Sequence, residues 1–187
     1  MTTAAQPAEP VEAAIEYALK LSGVPYGWWR GGDIPKKAPM WAEDGPAPAP
    51  EMVESCNCAG LTNLMLRSVG QPLPSHKDNG CGGTGAYGAV YASVWQSFDL
   101  ETIYPRGTLL LRKYRSVEDQ GHVAVVLEPA GRDAKVLQSH CAGFPSTSPG
   151  VNATYTVAES HCGGYYEFAV LPTDWLQPAR SGQPASA

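Results

Sequence analysis

Hydrophobic positions in the first half of the chain recur with the spacing of α-helices. In the segment PVEAAIEYALKLSG, residues 10–23, apolar side chains lie three and four positions apart, between a proline and a glycine that mark its ends. A second helix is predicted from 58 to 68, after Asn57, a good N-cap residue. A third is predicted over 86–98, where aromatic and aliphatic residues keep the same spacing. We expect the apolar stripe of this third helix to pack in the core.

In the second half of the chain the pattern changes to that of β-strands. Four short runs are rich in β-branched and aromatic residues and are bounded by turn formers: GTLLLRK, HVAVVLE, AKVLQSH and YYEFAVLP. Helices followed by strands are typical of an α+β domain, with N-terminal helices packed on an antiparallel β-sheet. The predicted single domain extends over 10–177. The tails, 1–9 and 178–187, are small, polar and proline-bearing and are expected to be disordered.

A proline-rich loop insertion, 33–54, separates the first two helices. It carries five prolines and has no hydrophobic period, and it is long for an irregular segment inside a compact domain. Two interpretations remain open: an insertion on the surface, or a wall or lid over a functional site.

The net charge of the 187-residue chain limits the classes of partner that it can bind. The net charge is −5 and no stripe of Lys or Arg is present, so neither a nucleic acid nor an anionic membrane is expected as a partner. The N-terminus lacks the features of a secretory signal, and no run is apolar enough to span a bilayer. We therefore expect a cytoplasmic protein, unless a non-classical route releases it, and a monomer by default.

Two histidines are brought together if the predicted strands HVAVVLE and AKVLQSH form a hairpin. The turn between them is centred on Gly131, and residues equally far from the centre of a hairpin pair with each other. His122 and His140 are equally far from Gly131 and would lie opposite each other, with Cβ atoms about 4.5–5.5 Å apart. Gln138 shares the face of His140. A slip of one residue would separate the histidines, which would then be unrelated side chains at strand ends.

Two cysteines stand just before the second helix, and their positions differ in chemistry. Cys58 is at the helix start, where backbone N–H groups and the positive end of the helix dipole lower the pKa of a thiol. Cys56 precedes the cap and lacks this advantage. A thiol with two adjacent imidazoles can work as a nucleophile, with one imidazole taking its proton and the other orienting the first. Cys58 is therefore the candidate nucleophile, and Cys56 is a bystander or a disulfide partner.

The five cysteines, Cys56, Cys58, Cys81, Cys141 and Cys162, allow other arrangements. One nucleophile with two disulfides fits the count, and so do five free thiols. Two adjacent His-Cys pairs, with Cys56 and Cys58, could also supply four zinc ligands, but their spacing is not the usual Cys-x₂₋₄-Cys. We expect no metal and no cofactor, and we expect Cys141 and Cys162 to form a disulfide or to be buried and reduced.

In their order along the chain, the segments SGVPYGWWRGG, NCAGLTNLMLRSVG, QPLPS, PRGTLLL and GHVAVVLE resemble the NlpC-type cysteine endopeptidases of the papain-like superfamily. The family pattern has G-x-PY-x-W-G-G before a D-C-S-G-L helix start, followed by a P-G-D-L strand and an H-V-G-I-Y strand. The resemblance covers most of residues 10–142. It implies a papain-like α+β fold and hydrolysis of an amide bond, with a peptidoglycan stem peptide as the usual substrate.

The resemblance also implies roles for single residues. Cys58 matches the family nucleophile, His122 the general base and His140 the residue that orients the base. Tyr26 matches the family tyrosine beside the nucleophile, which helps to hold the oxyanion or the substrate. The Cys58 backbone N–H at the helix start would also serve the oxyanion. Since the loop 33–54 stands between the Tyr26 segment and the Cys58 helix, we expect it to border the substrate groove.

Three positions depart from the family pattern. The Asp before the nucleophile is Asn57, the Ser after it is Ala59, and the acidic residue of P-G-D-L is Thr108. In the family the first two positions help to hold the free amine of a stem peptide, so a peptidoglycan stem peptide and a γ-glutamyl-type peptide are both candidate substrates. Two other functions remain open: an acyltransferase or other amide- or thioester-processing enzyme of the superfamily, or a catalytically silent binding domain.

Overall fold

The computed structural model describes residues 10–28, 40–116, 118–141 and 149–176. Five α-helices occur in these residues: α1 Pro10–Leu19, α2 Cys58–Ser68, α3 Thr84–Val90, α4 Val157–His161 and α5 Pro172–Trp175. The strands are β1 Ser75–His76, β2 Gly80–Cys81, β3 Gln96–Ser97, β4 Leu109–Arg112, β5 His122–Val126, β6 Val136–His140, β7 Gly150–Asn152 and β8 Phe168–Val170. Short 3₁₀ turns occur at Met40–Ala42, Pro50–Met52 and Gly131–Asp133. None of the helices described is long and apolar enough to cross a bilayer.

The strands form an antiparallel sheet in the order β3-β8-β4-β5-β6-β7, and β1 and β2 form a small separate pair. The four sequence runs predicted as strands are β4, β5, β6 and β8. The α+β class, with helices packed on an antiparallel sheet, is therefore confirmed. The sequence did not show β1, β2, β3 or β7, which are only two or three residues long and too short for a period to appear.

Both faces of the central strand β5 are buried, and they belong to different parts of the core. Val123 and Val125 pack in the larger apolar cluster, together with α1 and α2. Ala124 and Val126 pack in a smaller cluster, with Val157 of α4 among its members. Burial of a valine or leucine side chain stabilises the fold by about 1.5–3 kcal/mol. Packing on both faces fixes the position of β5, and with it the position of His122 at the start of the strand.

Helix α2 begins where the sequence predicts it. The Oδ1 atom of Asn57 accepts a hydrogen bond from the Gly60 N–H over 2.7 Å, which caps the helix. Gly60 is required because the indole of Trp41 lies against it, and a Cβ atom there would be 2.5 Å from Trp41 Cδ1. At the other end of the helix, the guanidinium of Arg67 donates to the carbonyls of Gly45 and Pro46. The described part of the proline-rich loop, 40–54, is thus attached to α2.

The third helix differs from its prediction over 86–98. It begins at Thr84 and ends at Val90, and Gln96 and Ser97 pair with β8 instead. The edge of the sheet satisfies the backbone of Gln96–Ser97, so the helical stripe of the sequence is divided between two elements. Its side chains are divided too, because Tyr87 is fully buried whereas Val94 is 43% exposed. The expectation that the whole stripe packs in the core was wrong.

Candidate active site

The hairpin of β5 and β6 has the predicted register. Val125 pairs with Leu137 and Val126 with Val136, as expected for a turn centred on Gly131. Beyond these pairs β5 and β6 no longer pair with each other: β5 stays paired with β4 from Val125 to His122, and β6 pairs with β7 from Gln138 to His140. The ends of the two strands that carry the histidines therefore have room between them for side chains.

A cavity of about 490 Å³ lies beside these strand ends. This volume is in the range of about 300–1,000 Å³ that is usual for small-molecule sites. The six residues to which the sequence assigned catalytic or binding roles all line it: Tyr26, Asn57, Cys58, Ala59, His122 and His140. They come from four separate segments of the chain, which only the tertiary structure brings together.

Cys58 is the first residue of α2 and is 6% exposed. Burial raises the pKa of its thiol to about 11, and hydrogen bonding to the backbone of Val123 and Ala59 opposes this rise without cancelling it. The sequence argument considered only the lowering effect of the helix start. The resting side chain is therefore a protonated thiol, and it needs a base in order to react.

His122, the first residue of β5, is a base of the required kind. Its Nε2 lies 2.8 Å from Oε1 of Gln138. Because an amide oxygen can only accept, this contact assigns the proton of the neutral ring to Nε2 and leaves Nδ1 able to accept a proton. Burial lowers the pKa of His122 to about 4, although the bond to Gln138 raises it in part. The imidazole is therefore neutral near pH 7.

Gln138 is a site residue that the sequence argument did not select. Its Oε1 also accepts from the Ser160 hydroxyl over 3.2 Å, and Ser160 is hydrogen-bonded to the Tyr166 hydroxyl over 2.5 Å. Gln138, Ser160 and Tyr166 are all buried. The predicted register could have identified Gln138. In that register Gln138 is the diagonal neighbour of His122 across the hairpin, and a long side chain can reach over that distance.

His140 differs from its expected role as the residue that orients His122. Its Nε2 accepts from the Asn152 amide over 3.0 Å, and its Nδ1 donates to the Cys141 carbonyl over 3.0 Å. Both ring nitrogens are thus used, and the contact with His122 is made by Gln138 instead. The physical reason is that β6 leaves β5 and pairs with β7, which carries Asn152.

The remaining candidates, Tyr26, Asn57 and Ala59, surround the thiol. Tyr26 forms a parallel bridge with Cys56, and burial, followed by the nearby thiols of Cys58 and Cys141, raises its pKa, so it keeps its hydroxyl proton. The side-chain oxygen of Asn57 is used in capping α2. Ala59 is 3% exposed and has no polar side chain.

No hydrogen bond joins the Cys58 thiol to an imidazole within the described residues. By strand alternation His122 shares the sheet face of Ala124 and Val126, whereas α2 packs with Val123 and Val125 on the other face. The thiol and the imidazole thus meet only at the open end of β5, where both line the cavity. Catalytic hydrogen bonds are often long in unliganded enzymes and shorten when substrate binds.

The loop before β5 forms another wall of the cavity and ends at Gly121. Gly121 has φ +75°, and a Cβ atom there would be 2.5 Å from the Arg112 carbonyl oxygen. Arg112 in turn forms an ion pair with Asp119 at 2.7 Å. The position of His122 therefore depends on a glycine that allows the chain to turn tightly against β4.

None of the five cysteines is in a disulfide. Cys56 is buried, and burial raises the pKa of its thiol to about 12, which makes it unreactive. Cys141 lines the cavity and Cys162 is exposed, so the expectation that these two are paired or buried was wrong. In the part of the chain that is described, no cluster of three or more His, Cys, Asp or Glu could hold a metal ion.

The described part of the proline-rich loop does not border the cavity. Residues 40–54 contribute none of the lining residues and pack on α2 instead. The prediction that the loop borders the groove was therefore wrong for these residues, while 33–39 lie outside the described residues. The tails 1–9 and 178–187 also lie outside them.

No family model and no curated protein matches the chain. Among solved structures it is similar to the P60 domain of an antigen from M. avium subspecies paratuberculosis, with 19% identity and a TM-score of 0.41 over 80% of this chain and 94% of that one. It is also similar to an NLP/P60-family protein, described as similar to lipoprotein, from Staphylococcus aureus. There the identity is 19% and the TM-score 0.42, and the alignment covers 90% of this chain and 45% of the other. Both are described as P60 or NLP/P60 proteins, the family that the sequence resembles.

Proposed function

We propose that the protein is a cysteine hydrolase that cleaves an amide bond in a peptide. One observation carries the proposal: a thiol at the start of a capped helix shares a cavity with a buried histidine whose Nδ1 is free to accept a proton. Cys58 is the nucleophile and His122 the general base. Gln138 fixes the tautomer and the orientation of His122.

The reaction follows from these groups. As the Cys58 sulfur attacks the carbonyl carbon, its proton passes to His122 Nδ1, and the carbonyl electrons move to the oxygen. When the tetrahedral intermediate collapses, the C–N bond breaks and His122 gives the proton to the leaving amine. Water then attacks the thioester, with His122 again accepting a proton, and releases the acid and the free thiol.

The negative oxygen of the intermediate needs hydrogen-bond donors. The Cys58 backbone N–H at the start of α2 is one candidate, since no intrahelical acceptor uses it. The Tyr26 hydroxyl is the second, because Tyr26 lines the cavity and its raised pKa keeps its proton in place. Each such donor contributes a factor of about 10²–10³ to rate in well-studied hydrolases.

Proton transfer in this site starts from a neutral pair. With the pKa of Cys58 at about 11 and that of His122 at about 4, thiol and imidazole are both uncharged near pH 7. The thiolate–imidazolium pair then forms during the attack and is not present at rest. His122 thus acts as a general base in the first step, and we expect its removal to lower the rate strongly.

The proposed substrate is a peptidoglycan stem peptide or a γ-glutamyl-type peptide. The family resemblance supports this class, whereas Asn57 and Ala59 remove the polar contacts that the family uses for the stem-peptide amine. The loss of one charge-assisted hydrogen bond is worth about 1.5–3 kcal/mol. We therefore expect less dependence on a free amine in the substrate than the family pattern implies.

The test is incubation of the parent protein with stem peptides and γ-glutamyl peptides, with products identified by mass. We expect cleavage by the parent and none by Cys58→Ala. Parallel reactions with an added amine acceptor distinguish hydrolysis from acyl transfer, since transfer gives a product heavier by the acceptor. Cleavage that persists in Cys58→Ala, or no turnover of any peptide by the parent, would refute the hydrolase.

A further inference from the structure

A second, smaller cavity lies next to the first. It has a volume of about 220 Å³ and shares four lining residues with the larger cavity: Asn79, Thr84, Gly85 and Tyr114. The shared residues place the two cavities next to each other, with Cys58 in the lining of the larger one. The smaller cavity lies below the range of about 300–1,000 Å³ of independent ligand sites, so it suits one group of a larger molecule.

The lining of the smaller cavity includes Lys113, whose ammonium group lies against two aromatic rings. The Nζ atom of Lys113 lies 4.4 Å from the ring centre of Trp95 and 4.7 Å from that of Phe168. The two rings stack with centres 4.1 Å apart. Contacts of a cation with ring faces hold Lys113 in place without neutralising its charge.

The ammonium of Lys113 has no carboxylate partner among the described residues. The nearby carboxylate of Glu167 is already engaged, because it accepts from the Lys113 backbone N–H over 2.8 Å and from Arg115 over 2.5 Å. The three N–H donors of the Lys113 ammonium therefore remain available to an anionic group in the smaller cavity.

The two cavities differ in the charged side chains that line them. The larger cavity is lined by the carboxylates of Asp78, Glu118 and Asp119 and by no Lys or Arg among the residues that the structure describes. Lys113 is the cation in the lining of the smaller one. Asp119 is already paired with Arg112 and Arg115, so the lining of the larger cavity offers a peptide carboxylate no cation, whereas Lys113 in the smaller one attracts it.

Two glycines of α3, Gly85 and Gly88, line the smaller cavity. A Cβ atom at Gly85 would be 3.4 Å from Asn79 Oδ1, and one at Gly88 would be 3.9 Å from the Trp95 ring. Neither position requires glycine for steric reasons at Cβ, since these are ordinary contacts. A longer side chain at Gly88 would instead occupy the space beside Trp95 and Lys113.

We propose that this smaller cavity is a specificity subsite that binds a carboxylate of the peptide substrate through Lys113, while the scissile amide lies at Cys58. The inference rests on the proposed hydrolase function, and it adds the chemical group that selects the substrate. It assigns Lys113 as the charge-recognition residue and Trp95 as the surface that positions it.

The experiment measures binding separately from chemistry. A γ-glutamyl peptide is prepared with each carboxylate in turn converted to the carboxamide, and binding to Cys58→Ala is measured by calorimetry. We expect one of the carboxamides to bind about tenfold more weakly than the acid. In Cys58→Ala/Lys113→Gln this difference disappears, whereas Lys113→Arg retains it.

Two further variants separate the subsite from general effects. Lys20→Gln removes a charge at the exposed end of the first helical segment and should leave the discrimination unchanged. Gly88→Leu fills the subsite, so we expect acid and carboxamide to bind equally weakly, with folding checked by circular dichroism.

The outcomes distinguish this inference from the proposed function. If no peptide binds, if acid and carboxamides bind alike, or if Lys113→Gln keeps the difference, the subsite assignment is wrong. If Cys58→Ala discriminates through Lys113 but the parent cleaves no peptide, the subsite stands and the hydrolase does not.

Discussion

The chemistry at the residue scale depends on what surrounds His122. Burial removes the imidazole from water, and Gln138 Oε1 takes the proton of its Nε2 in a hydrogen bond. The Ser160 hydroxyl, which is hydrogen-bonded to Tyr166, donates to the same oxygen of Gln138 and fixes its side chain. The ring is thus presented in one tautomer, whereas His140 is held by Asn152 and Cys141.

This arrangement predicts unequal effects of three substitutions on turnover. His122→Ala should lower kcat/KM by about 10²–10⁴-fold, because the general base is lost. Gln138→Ala should lower it by at least about tenfold, because the tautomer is no longer fixed. His140→Ala should retain most activity. Steady-state kinetics on the same peptide provide the comparison.

A larger loss for His140→Ala than for Gln138→Ala would return the orienting role to His140. Gln138→Glu provides a matched control, since a carboxylate beside Nε2 favours the imidazolium. We expect it to move the acid limb of the pH profile of kcat/KM upward, which a purely structural role of Gln138 would not do.

The pKa of Cys58 predicts how its alkylation depends on pH. Because burial raises this pKa to about 11, the thiolate fraction should increase by about tenfold per pH unit between pH 7 and pH 10. The rate of Cys58 modification by iodoacetamide, followed by peptide mass mapping, should rise in the same way. A rate that is already constant by pH 7 would show a preformed thiolate and contradict the neutral pair. The Cys58→Ser variant is the control, because the modified peptide that contains residue 58 should be missing from its mass map.

The decisive feature at the element scale is the separation of β5 and β6. The two strands pair with each other only at Val125 and Val126; toward the histidines β5 remains paired with β4, and β6 pairs with β7. The tight turn at Gly121 sets the start of β5 against β4. The site is thus formed where the sheet changes its pairing, and its geometry depends on backbone conformation as much as on side chains.

Substitution of Gly121 tests this dependence. Gly121→Ala places a Cβ atom at φ +75° and against the Arg112 backbone, so we expect a loss of about 1–3 kcal/mol in the free energy of unfolding. Urea denaturation measures the loss. Gly88→Ala is the matched control, since its Cβ meets only Trp95 at 3.9 Å and helix propensity favours alanine by about 0.5–1 kcal/mol. Equal stability of the two variants would contradict the steric argument.

The buried histidine also affects stability at the scale of the whole molecule. In the unfolded chain the pKa of a histidine is about 6.5, whereas that of His122 in the fold is lowered to about 4. The unfolded state therefore binds more protons between these values. The stability that neutral His122 provides is fully present above pH 6.5 and is lost as the pH falls toward 4.

His122→Gln should accordingly reduce the acid sensitivity of the fold. The parent is expected to lose up to about 3 kcal/mol between pH 7 and pH 4 through this residue alone, and the variant should lack this part of the loss. Urea denaturation at both pH values measures it. If the two proteins lose equal stability over this range, His122 is not buried in its neutral form.

The whole molecule shows which properties are local in origin. The start of α2 at Asn57–Cys58, the runs that become β4, β5, β6 and β8, and the hairpin register about Gly131 were all predictable from the sequence. Each follows from interactions within a few residues or between adjacent strands: a cap, a period of two, a turn. Cys58 could be named as a candidate for the same reason, whereas the choice of His122 rather than His140 as the base came from the family resemblance.

Other properties arise from contacts between distant segments, and only the tertiary structure decided them. The third helix ends early because the edge of β8 pairs with Gln96–Ser97. Gln138 rather than His140 contacts His122 because β6 leaves β5 to pair with β7. Burial of Cys58 outweighs the effect of its helix, because desolvation depends on every atom packed around the thiol and not on its neighbours in the chain.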